Sequence, residues 1–561
     1  MAEQPADIGD KAAETTVALN PMMGGFNREE LLAAVRMLVG KSATRPRATA
    51  KLAGRLAKET FQIVRGGSER TPEPRDRRFQ DPAWTFNPLY RRGLQQWLAT
   101  SDHLMSWVDE LNLKELDHAR AQFVLNILID AIAPTNTLIG NPAALKRVVD
   151  SGGLSLLKGM QNAYNDIRQN GGMPSQVDKR PFKVGENLGT TPGKVIWRHP
   201  ILELIQYEPM TEQVHKVPFL SIPPQINKFY ASDLTPDKSV VQFLLRQGFQ
   251  VFFISWRNPQ KEHAHWGLTD YVDVLVQVSE VIARITRSKK INISGACSGG
   301  ITTASFASLL AAAGDDRINS ITFQVCVLDP KKEDSDLGQI VSENSLEIAR
   351  KTSQRKGVLK GEDLARMFAW MRPNDLIWNY VVNNYLMGDS PPPFDVLYWN
   401  NDTTNLPAQL HSDYLDLSLE EPFARPGEVE VAGHMADLSK VKADAFIVAG
   451  LTDHITPWKA CYRTTNLLGS ENIDFILSSS GHIQSLLNPP GNPKAKFFGG
   501  KAVGESADDW LAASQETQGS WWEGWAIWLK EHSGDMKAAP KSLGNKDFPP
   551  ICASPGTYVF D

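Results

Sequence analysis

The chain has 561 residues, 42% of them hydrophobic, which is enough apolar material for roughly two to four structural units. Its formal net charge of −5 is small for this length and argues against a protein committed as a whole to nucleic acid. No apolar run reaches the roughly 18 residues that a membrane helix needs, and the polar N-terminus lacks a signal-peptide core. The sequence therefore predicts a cytoplasmic protein with no transmembrane segment.

The first third of the chain is predicted to be helical. Residues 1–26 are expected to form a disordered tail. Residues 27–184 are predicted to be an N-terminal helical domain, because "REELLAAVRMLVG" and "HARAQFVLNILIDAIAP" carry apolar residues at helical spacing. Basic residues are concentrated between Lys41 and Arg70. They are interpreted either as the solvated face of a helix or as a surface for a polymer, a membrane-like interface or an acidic partner.

Residues 185–561 are predicted to be an α/β domain, because short apolar strands alternate with helices, as in βαβ units. The predicted strand segments are "KVIWRHPILELIQY" (a hairpin), "VPFLSIPP", "FQVFFISW", "INISGA", "SITFQVCVLD", "ADAFIVAG" and "IDFILSS". The interval of about 330–442 is too long for a loop and contains helical patterns. We therefore expect it to be a helical cap inserted over the sheet.

A nucleophile elbow is predicted at Cys297. The stretch Gly295-Ala296-Cys297-Ser298-Gly299 follows a strand and precedes the helical pattern "GGITTASFASLLAAA". The glycines suit a turn so tight that side chains would collide there. A helix N-terminus also favours a thiolate.

An elbow predicts its partners, in the chain order nucleophile, acid, histidine. Asp453 follows the strand "ADAFIVAG", and His482 follows "IDFILSS". Asp329, at the end of "CVLD", is the second candidate for the acid. His454 is predicted either to bind substrate or to cap a turn.

The elbow also requires an oxyanion hole. One donor is expected to be the backbone N–H of Ser298, the residue after the nucleophile. The second should come from the loop "PPQINKFYASDL", where Gln225 and Ile226 are the two candidates.

The thiol itself indicates the chemistry. A thiolate is a strong nucleophile, and exchange with an acyl thioester such as an acyl-CoA is nearly isoenergetic. If a cap excludes water, an alcohol can take the acyl group, and the enzyme is then a transferase. The four cysteines contain no C-x-x-C pair, so neither a metal site nor a cofactor is expected.

Motifs throughout the chain resemble those of polyhydroxyalkanoate synthases. The similar stretches are "GACSGG", "PPQINKFYASDLTPDKSVV", "FFISWRNP", "FDVLYWNNDTTNLP", "LTDHITPW", "SSGHIQSLLNPPGNPK", "GSWWEGWAIWL", "NPLYRRGLQQWL" and "DAIAPTNTLIGNP". The chain length and the stretch "SWRNPQKEHAHWGL" are most similar to the class II, medium-chain-length type, which works without a second kind of subunit.

This resemblance implies an α/β-hydrolase-fold core, with an inserted helical cap and a mainly helical N-terminal domain. It implies polymerisation of (R)-3-hydroxyacyl-CoA into polyester, with CoA released and the CoA thioester as the substrate. Cys297 would be acylated, His482 would be the base, and Asp453 would assist His482 or activate the incoming hydroxyl. Trp399 matches a family tryptophan linked to dimerisation; the alternative is that it belongs to the cap core.

The resemblance also implies a homodimer at the surface of cytoplasmic polyester granules. Two other functions stay open on the sequence. A cysteine hydrolase would cleave an ester, lactone or thioester, although the long cap and N-terminal half argue against a minimal hydrolase. A non-enzymatic protein would coat granules with its basic and tryptophan-rich surfaces.

Overall fold

The computed structural model describes residues 28–74, 76–331, 334, 343–420, 422–428, 430–502 and 506–561. The predicted disordered tail, 1–26, lies outside these residues. Contacts divide the chain into two units. One contains the described residues up to Arg180 together with 343–346 and Asp363–Phe394, and the other contains the described residues of 181–335 together with Glu347–Glu362 and Asp395–Asp561.

The α-helices are numbered in chain order: α1 Arg28–Thr44, α2 Pro46–Val64, α3 Ala83–Phe86, α4 Pro88–Glu110, α5 Glu115–Ala131, α6 Pro142–Asp150, α7 Leu154–Gln169, α8 Val240–Arg246, α9 Leu268–Thr286, α10 Ser298–Ala312, α11 Glu343–Lys356, α12 Gly361–Met371, α13 Asp395–Asn400, α14 Ala408–Glu420, α15 Trp458–Leu467, α16 His482–Leu486, α17 Ala507–Ala513 and α18 Trp521–Glu531. Two π-helical segments follow α12, at Asn374–Trp378 and Val381–Leu386. No helix within the described ranges is long and apolar enough to cross a membrane.

The strands are likewise numbered in chain order: β1 Gly193–Arg198, β2 Leu202–Tyr207, β3 Gln213–His215, β4 Phe219–Ile222, β5 Val251–Trp256, β6 Ile291–Ala296, β7 Ile318–Gln324, β8 Val358–Leu359, β9 Leu406–Pro407, β10 Glu430–Val431, β11 His434–Met435, β12 Asp444–Gly450, β13 Ile473–Ser478, β14 Lys496–Lys501, β15 Gln515–Gln518, β16 Met536–Ala538 and β17 Cys552–Ala553. Each predicted strand segment overlaps at least one of these strands, and the predicted hairpin is the antiparallel pair β1–β2.

The first unit is helical. Its core contains Leu38 of α1 together with Trp107, Val108 and Leu111 from the end of α4 and the residue after it. Part of the basic run between Lys41 and Arg70 is neutralised within this unit, because Arg70 forms ion pairs with Glu59 and Asp102 and Arg55 pairs with Glu110.

Contacts divide the chain differently from the predicted domains, whose limits stay a prediction. The first unit runs to Arg180, and the interval 330–442 is shared between the two units. Its piece Asp363–Phe394 clusters with the N-terminal helices, since Tyr385 donates a hydrogen bond to Asp166 over 2.8 Å. Gly159 of α7 lies against the Tyr385 carbonyl, where a Cβ atom would overlap it. The glycine therefore allows α7 to lie close to the π-helical segment that contains Tyr385. Hydrophobic periodicity in the sequence does not reveal such a contact.

The second unit is built on an eleven-stranded sheet with the order β15-β14-β13-β12-β7-β6-β4-β5-β2-β1-β17. The strands β5, β4, β6, β7, β12 and β13 pair in parallel, and β2 joins β5 antiparallel. The order reverses at β4, which lies between β5 and β6. Ligands of open α/β sheets bind beyond the carboxyl ends of the strands at such a point.

One face of this sheet packs against the tryptophans of α18. Trp525 stacks edge-on against Phe219 of β4, and Phe446 of β12 contacts Trp521 and Trp528. Large aromatic rings bury much apolar area, and their indole N–H groups need acceptors when buried. Trp525 meets this need by donating to Thr322 Oγ1 of β7 over 3.0 Å. The motif "GSWWEGWAIWL" is thus the core of the sheet's covered face.

Candidate active site

Cys297 occupies a strained turn between β6 and α10. Its backbone angles are φ 49° and ψ −124°, a conformation that costs a non-glycine residue about 1–3 kcal/mol. A Cβ atom at Gly295 would overlap Thr303 Oγ1, and one at Gly299 would lie 2.5 Å from the Pro223 carbonyl oxygen. The two glycines are therefore sterically required, and the turn presents the half-buried thiol at the end of the strand.

His482 and Asp453 lie at the same edge of the sheet. Asp453 follows β12, and His482 is the first residue of α16, after β13. Nδ1 of His482 donates to Oδ2 of Asp453 over 2.7 Å, and Cys297 interacts electrostatically with the His482 imidazole. The structure thus brings together the three residues that the sequence predicted as nucleophile, base and acid.

The electrostatics of this group favour a charged histidine. Burial by itself would lower the pKa of His482, but the charge of a Cys297 thiolate and the hydrogen bond to Asp453 outweigh it and raise the pKa to about 10. Burial would raise the pKa of Asp453, yet the hydrogen bond and charge of His482, followed by the side-chain and backbone hydrogen bonds of Thr456, lower it. A charged imidazolium beside the Asp453 carboxylate is therefore the favoured state of His482.

The other acid candidate, Asp329, has a different partner. It is buried and accepts a hydrogen bond from Nε of Arg463 over 3.1 Å. It therefore anchors α15 through Arg463, and the carboxylate that accepts the Nδ1–H of His482 is that of Asp453. His454 is half-buried beside Asp453, in the turn before α15.

Two other cysteines, Cys326 and Cys461, are buried near this edge of the sheet. A Cβ atom at Gly300 would overlap the sulfur of Cys326, and Cys461 donates to the Thr456 carbonyl over 3.5 Å. Burial raises the pKa of both thiols well above the ordinary value. Raised pKa values leave these thiols protonated, so Cys297 is the nucleophile candidate at this edge.

The loop after β4 lies beside the elbow. We call residues 223–228 the oxyanion loop. The Gln225 N–H donates to Ser298 Oγ over 3.2 Å. Within the described ranges, the N–H groups of Ser298 and Ile226 have no protein acceptor. Of the two candidates in this loop, Ile226 therefore has the amide that is open to a substrate oxygen.

Packing fixes the helix that carries His482. The indole N–H of Trp521 donates to the Ser485 carbonyl over 2.8 Å, and that of Trp522 donates to the Leu486 carbonyl over 3.2 Å. Both carbonyls belong to the five-residue helix α16. Sequence reasoning named this motif but not its role, because these partners lie about 36 residues apart.

Trp399 is a core residue of the second unit. Its ring is buried, and its Nε1–H donates to the Lys228 carbonyl over 2.6 Å, at the end of the oxyanion loop. This placement corresponds to the packing alternative that the sequence left open.

The sheet order and the three side chains at its carboxyl edge define the class: an α/β-hydrolase-fold protein with a cysteine at the nucleophile elbow. The family model described as "alpha/beta hydrolase fold" matches residues 229–489, which confirms the predicted fold of the core. The model described as "Poly-beta-hydroxybutyrate polymerase (PhaC) N-terminus" matches residues 75–244.

Full-length relatives identify the family. The chain is 48% identical to poly(3-hydroxyalkanoate) polymerase 1 of Ectopseudomonas oleovorans, with 99% of each chain covered. It is 44% identical to polymerase 2 of the same organism, with 100% of each covered. It is 36% identical to poly(3-hydroxyalkanoate) polymerase subunit PhaC of Cupriavidus necator, over 89% of this chain and 85% of the relative. The chain therefore belongs to the poly(3-hydroxyalkanoate) polymerase family.

Proposed function

We propose that this enzyme polymerises (R)-3-hydroxyacyl-CoA into polyhydroxyalkanoate and releases CoA, with the growing acyl group carried as a thioester on Cys297. The observation that carries the proposal is the cysteine at the elbow, which interacts electrostatically with His482, together with the hydrogen bond from His482 to Asp453. The full-length similarity to two named poly(3-hydroxyalkanoate) polymerases supports the substrate class.

In the first half-reaction, His482 holds the proton of Cys297, and the thiolate attacks the thioester carbonyl carbon. The carbonyl oxygen gains negative charge, which the N–H groups of Ser298 and Ile226 are placed to stabilise. The carbon–sulfur bond to CoA then breaks, and His482 returns its proton to the leaving CoA thiolate. The acyl group is left on Cys297, and His482 is neutral again.

In the second half-reaction, a 3-hydroxyl group attacks the acyl-cysteine. His482 removes the hydroxyl proton, an ester bond forms, and the bond to the Cys297 sulfur breaks. Both Asp453 oxygens are already engaged, Oδ1 by the backbone N–H groups of Ile455 and Thr456, and Oδ2 by His482. These contacts support a role for Asp453 in orienting His482 rather than direct contact with the hydroxyl.

We assign the enzyme to the class II, medium-chain-length type, active as a homodimer of one kind of subunit. The higher identity to the two Ectopseudomonas oleovorans polymerases than to the PhaC subunit of Cupriavidus necator supports this assignment. Rates of CoA release with a panel of 3-hydroxyacyl-CoA chain lengths, and sedimentation of the active species, test it.

We place the enzyme in the cytoplasm at the surface of polyester granules. The helix α7 supports a granule contact, because it exposes a stripe of large side chains at helical spacing: Leu154, Leu157, Met160, Tyr164 and Ile167. Replacing Leu157 and Met160 by lysine should weaken binding of the purified protein to washed polyester particles. Unchanged binding would contradict a contact between this face of α7 and the polyester.

Incubation with 3-hydroxyacyl-CoA tests the proposed reaction. The proposal predicts insoluble polyester together with free CoA, whereas a hydrolase would yield free hydroxy acid. Cys297→Ala should abolish polymer formation, and Cys297→Ser should reduce it severely, since a hydroxyl is a far poorer nucleophile toward a thioester. Normal polymer formation by Cys297→Ala would contradict the assignment of Cys297 as the nucleophile.

A further inference from the structure

The serine next to the nucleophile is bonded twice to one residue of the oxyanion loop. Ser298 Oγ accepts the backbone N–H of Gln225 over 3.2 Å and donates to Gln225 Oε1 over 3.0 Å. Both residues are buried. Ser298 and Ile226 carry the two open amides, so this pair of hydrogen bonds connects the two sides of the oxyanion hole. The spacing of the two donors therefore depends on where Gln225 is held.

A segment of the predicted cap holds the same loop from the other side. Thr404 donates hydrogen bonds to two backbone carbonyls of the oxyanion loop. Its N–H donates to the Ile226 carbonyl over 3.0 Å, and its hydroxyl donates to the Gln225 carbonyl. Tyr414 of α14 donates its hydroxyl to Gln225 Oε1 over 2.9 Å. Gln225 Nε2 donates onward to Thr302 Oγ1 of α10 over 2.9 Å.

This network leaves Gln225 little freedom. Its side-chain oxygen accepts from both Ser298 and Tyr414, its amide nitrogen donates to Thr302, and its backbone N–H and C=O are both bonded. Burial raises the pKa of Tyr414, so its hydroxyl stays a neutral donor. Buried polar groups with all partners present hold a single geometry, and loss of one partner leaves an unsatisfied group.

We propose that Thr404 and Tyr414 are positioning residues of the oxyanion hole, which act through Gln225 and set the Ile226 N–H at its distance from the Ser298 N–H. The cap segment 404–414 and the oxyanion hole are then one unit, and the hole is complete only when this segment is seated. The inference rests on the proposed acyl-transfer function and adds two residues from outside the predicted triad.

Displacing an oxyanion donor should destabilise the transition state more than the bound substrate. Oxyanion donors bind developing charge, so misplacing one lowers kcat with little change in KM. Complete loss of an oxyanion donor costs about 100- to 1,000-fold in kcat. Loss of one hydrogen bond that positions a donor should therefore cost less, about 10- to 100-fold in kcat. Thiol alkylation offers a contrast, because it needs the thiolate but develops no oxyanion.

The test compares Tyr414→Phe with Tyr207→Phe, which removes a hydroxyl from a buried tyrosine on β2. Two rates are measured: CoA release from 3-hydroxyacyl-CoA, and alkylation of Cys297 by iodoacetamide, followed by peptide mass spectrometry. We expect Tyr414→Phe to lose about 10- to 100-fold in kcat with KM and the alkylation rate near those of the wild type. Tyr207→Phe should retain both rates.

Thr404→Ser and Thr404→Val provide a second pair if Tyr414→Phe fails to fold. The serine variant keeps the hydroxyl bonded to the Gln225 carbonyl and should retain kcat, whereas valine should lower it with alkylation unchanged. The inference is overturned if Tyr414→Phe keeps wild-type kcat, or if alkylation falls in parallel with kcat. A wild-type enzyme whose alkylated Cys297 still releases CoA would instead overturn the proposed function.

Discussion

Thr456 donates its hydroxyl to Oδ2 of Asp453 over 2.6 Å, the same oxygen that accepts Nδ1–H of His482. The backbone N–H groups of Ile455 and Thr456 donate to the other oxygen, Oδ1, over 2.8 and 3.0 Å. The carboxylate is thereby held by its own turn and faces His482 in one orientation. Asp453 thus acts as a fixed negative charge that orients the imidazole through its Nδ1–H.

Thr456→Val removes the hydroxyl and should reduce activity. A hydrogen bond to a charged group contributes about 1.5–3 kcal/mol, so we expect kcat to fall about 10- to 100-fold. Thr456→Ser keeps the donor and should retain most of the activity. Initial rates of CoA release measure both variants. Equal rates for valine and serine would show that the hydroxyl does not hold the carboxylate.

Asp453→Asn and Asp329→Asn distinguish the two acids that the sequence allowed. Replacing the Asp453 carboxylate by a neutral amide would leave His482 without a fixed negative charge, so we expect a loss of about 1,000-fold or more in kcat. The Asp329 substitution weakens the pair with Arg463 and should lower the melting temperature while kcat stays within a few-fold of the wild type. A larger loss of kcat for Asp329→Asn than for Asp453→Asn would reverse the assignment.

Gly299→Ala tests the close approach of the elbow helix to the oxyanion loop. The new Cβ would lie 2.5 Å from the Pro223 carbonyl oxygen, so the loop must move. Displacing a catalytic group by about 1 Å costs about 100-fold, and we expect a loss of at least that size. Gly524→Ala on α18 is the control, because a Cβ there has no neighbour within 4 Å. Comparable activity of the two variants would contradict the predicted steric limit.

His411 makes the predicted cap sensitive to acid. Burial, with the nearby charge of Arg350, lowers its pKa from 6.5 to about 4, so the unfolded chain binds this proton at a higher pH than the folded chain. Stability from this group should therefore fall as the pH drops from 6.5 to about 4, by up to about 3 kcal/mol. The His411→Gln variant has no titrating side chain at this position, so it should lose less stability over the same pH range.

Melting temperatures measured across this pH range compare the wild type with His411→Gln. The melting temperature of the wild type should fall more than that of the variant between pH 6.5 and about 4. Parallel curves for the two proteins would show that His411 does not titrate differently in the folded chain.

Local sequence patterns predicted the strands and the chain order of Cys297, Asp453 and His482. An elbow and the end of a strand can be recognised from the residue types of a few neighbouring positions. They did not identify Tyr414, which contacts Gln225 from 189 residues away. They also treated 330–442 as one cap, since the contact of Gly159 with Tyr385 depends on tertiary packing. Selecting Ile226 over Gln225 required knowing which amide is already bonded.

Acyl transfer through Cys297 is the central claim, and a saturated acyl-CoA without the 3-hydroxyl tests it most directly. This substrate can acylate the enzyme but cannot supply the hydroxyl for the next step. We expect a burst of CoA equal to the number of active sites, with the acyl mass on the tryptic peptide that contains Cys297. Continuous CoA release with no acyl group on Cys297 would contradict the account.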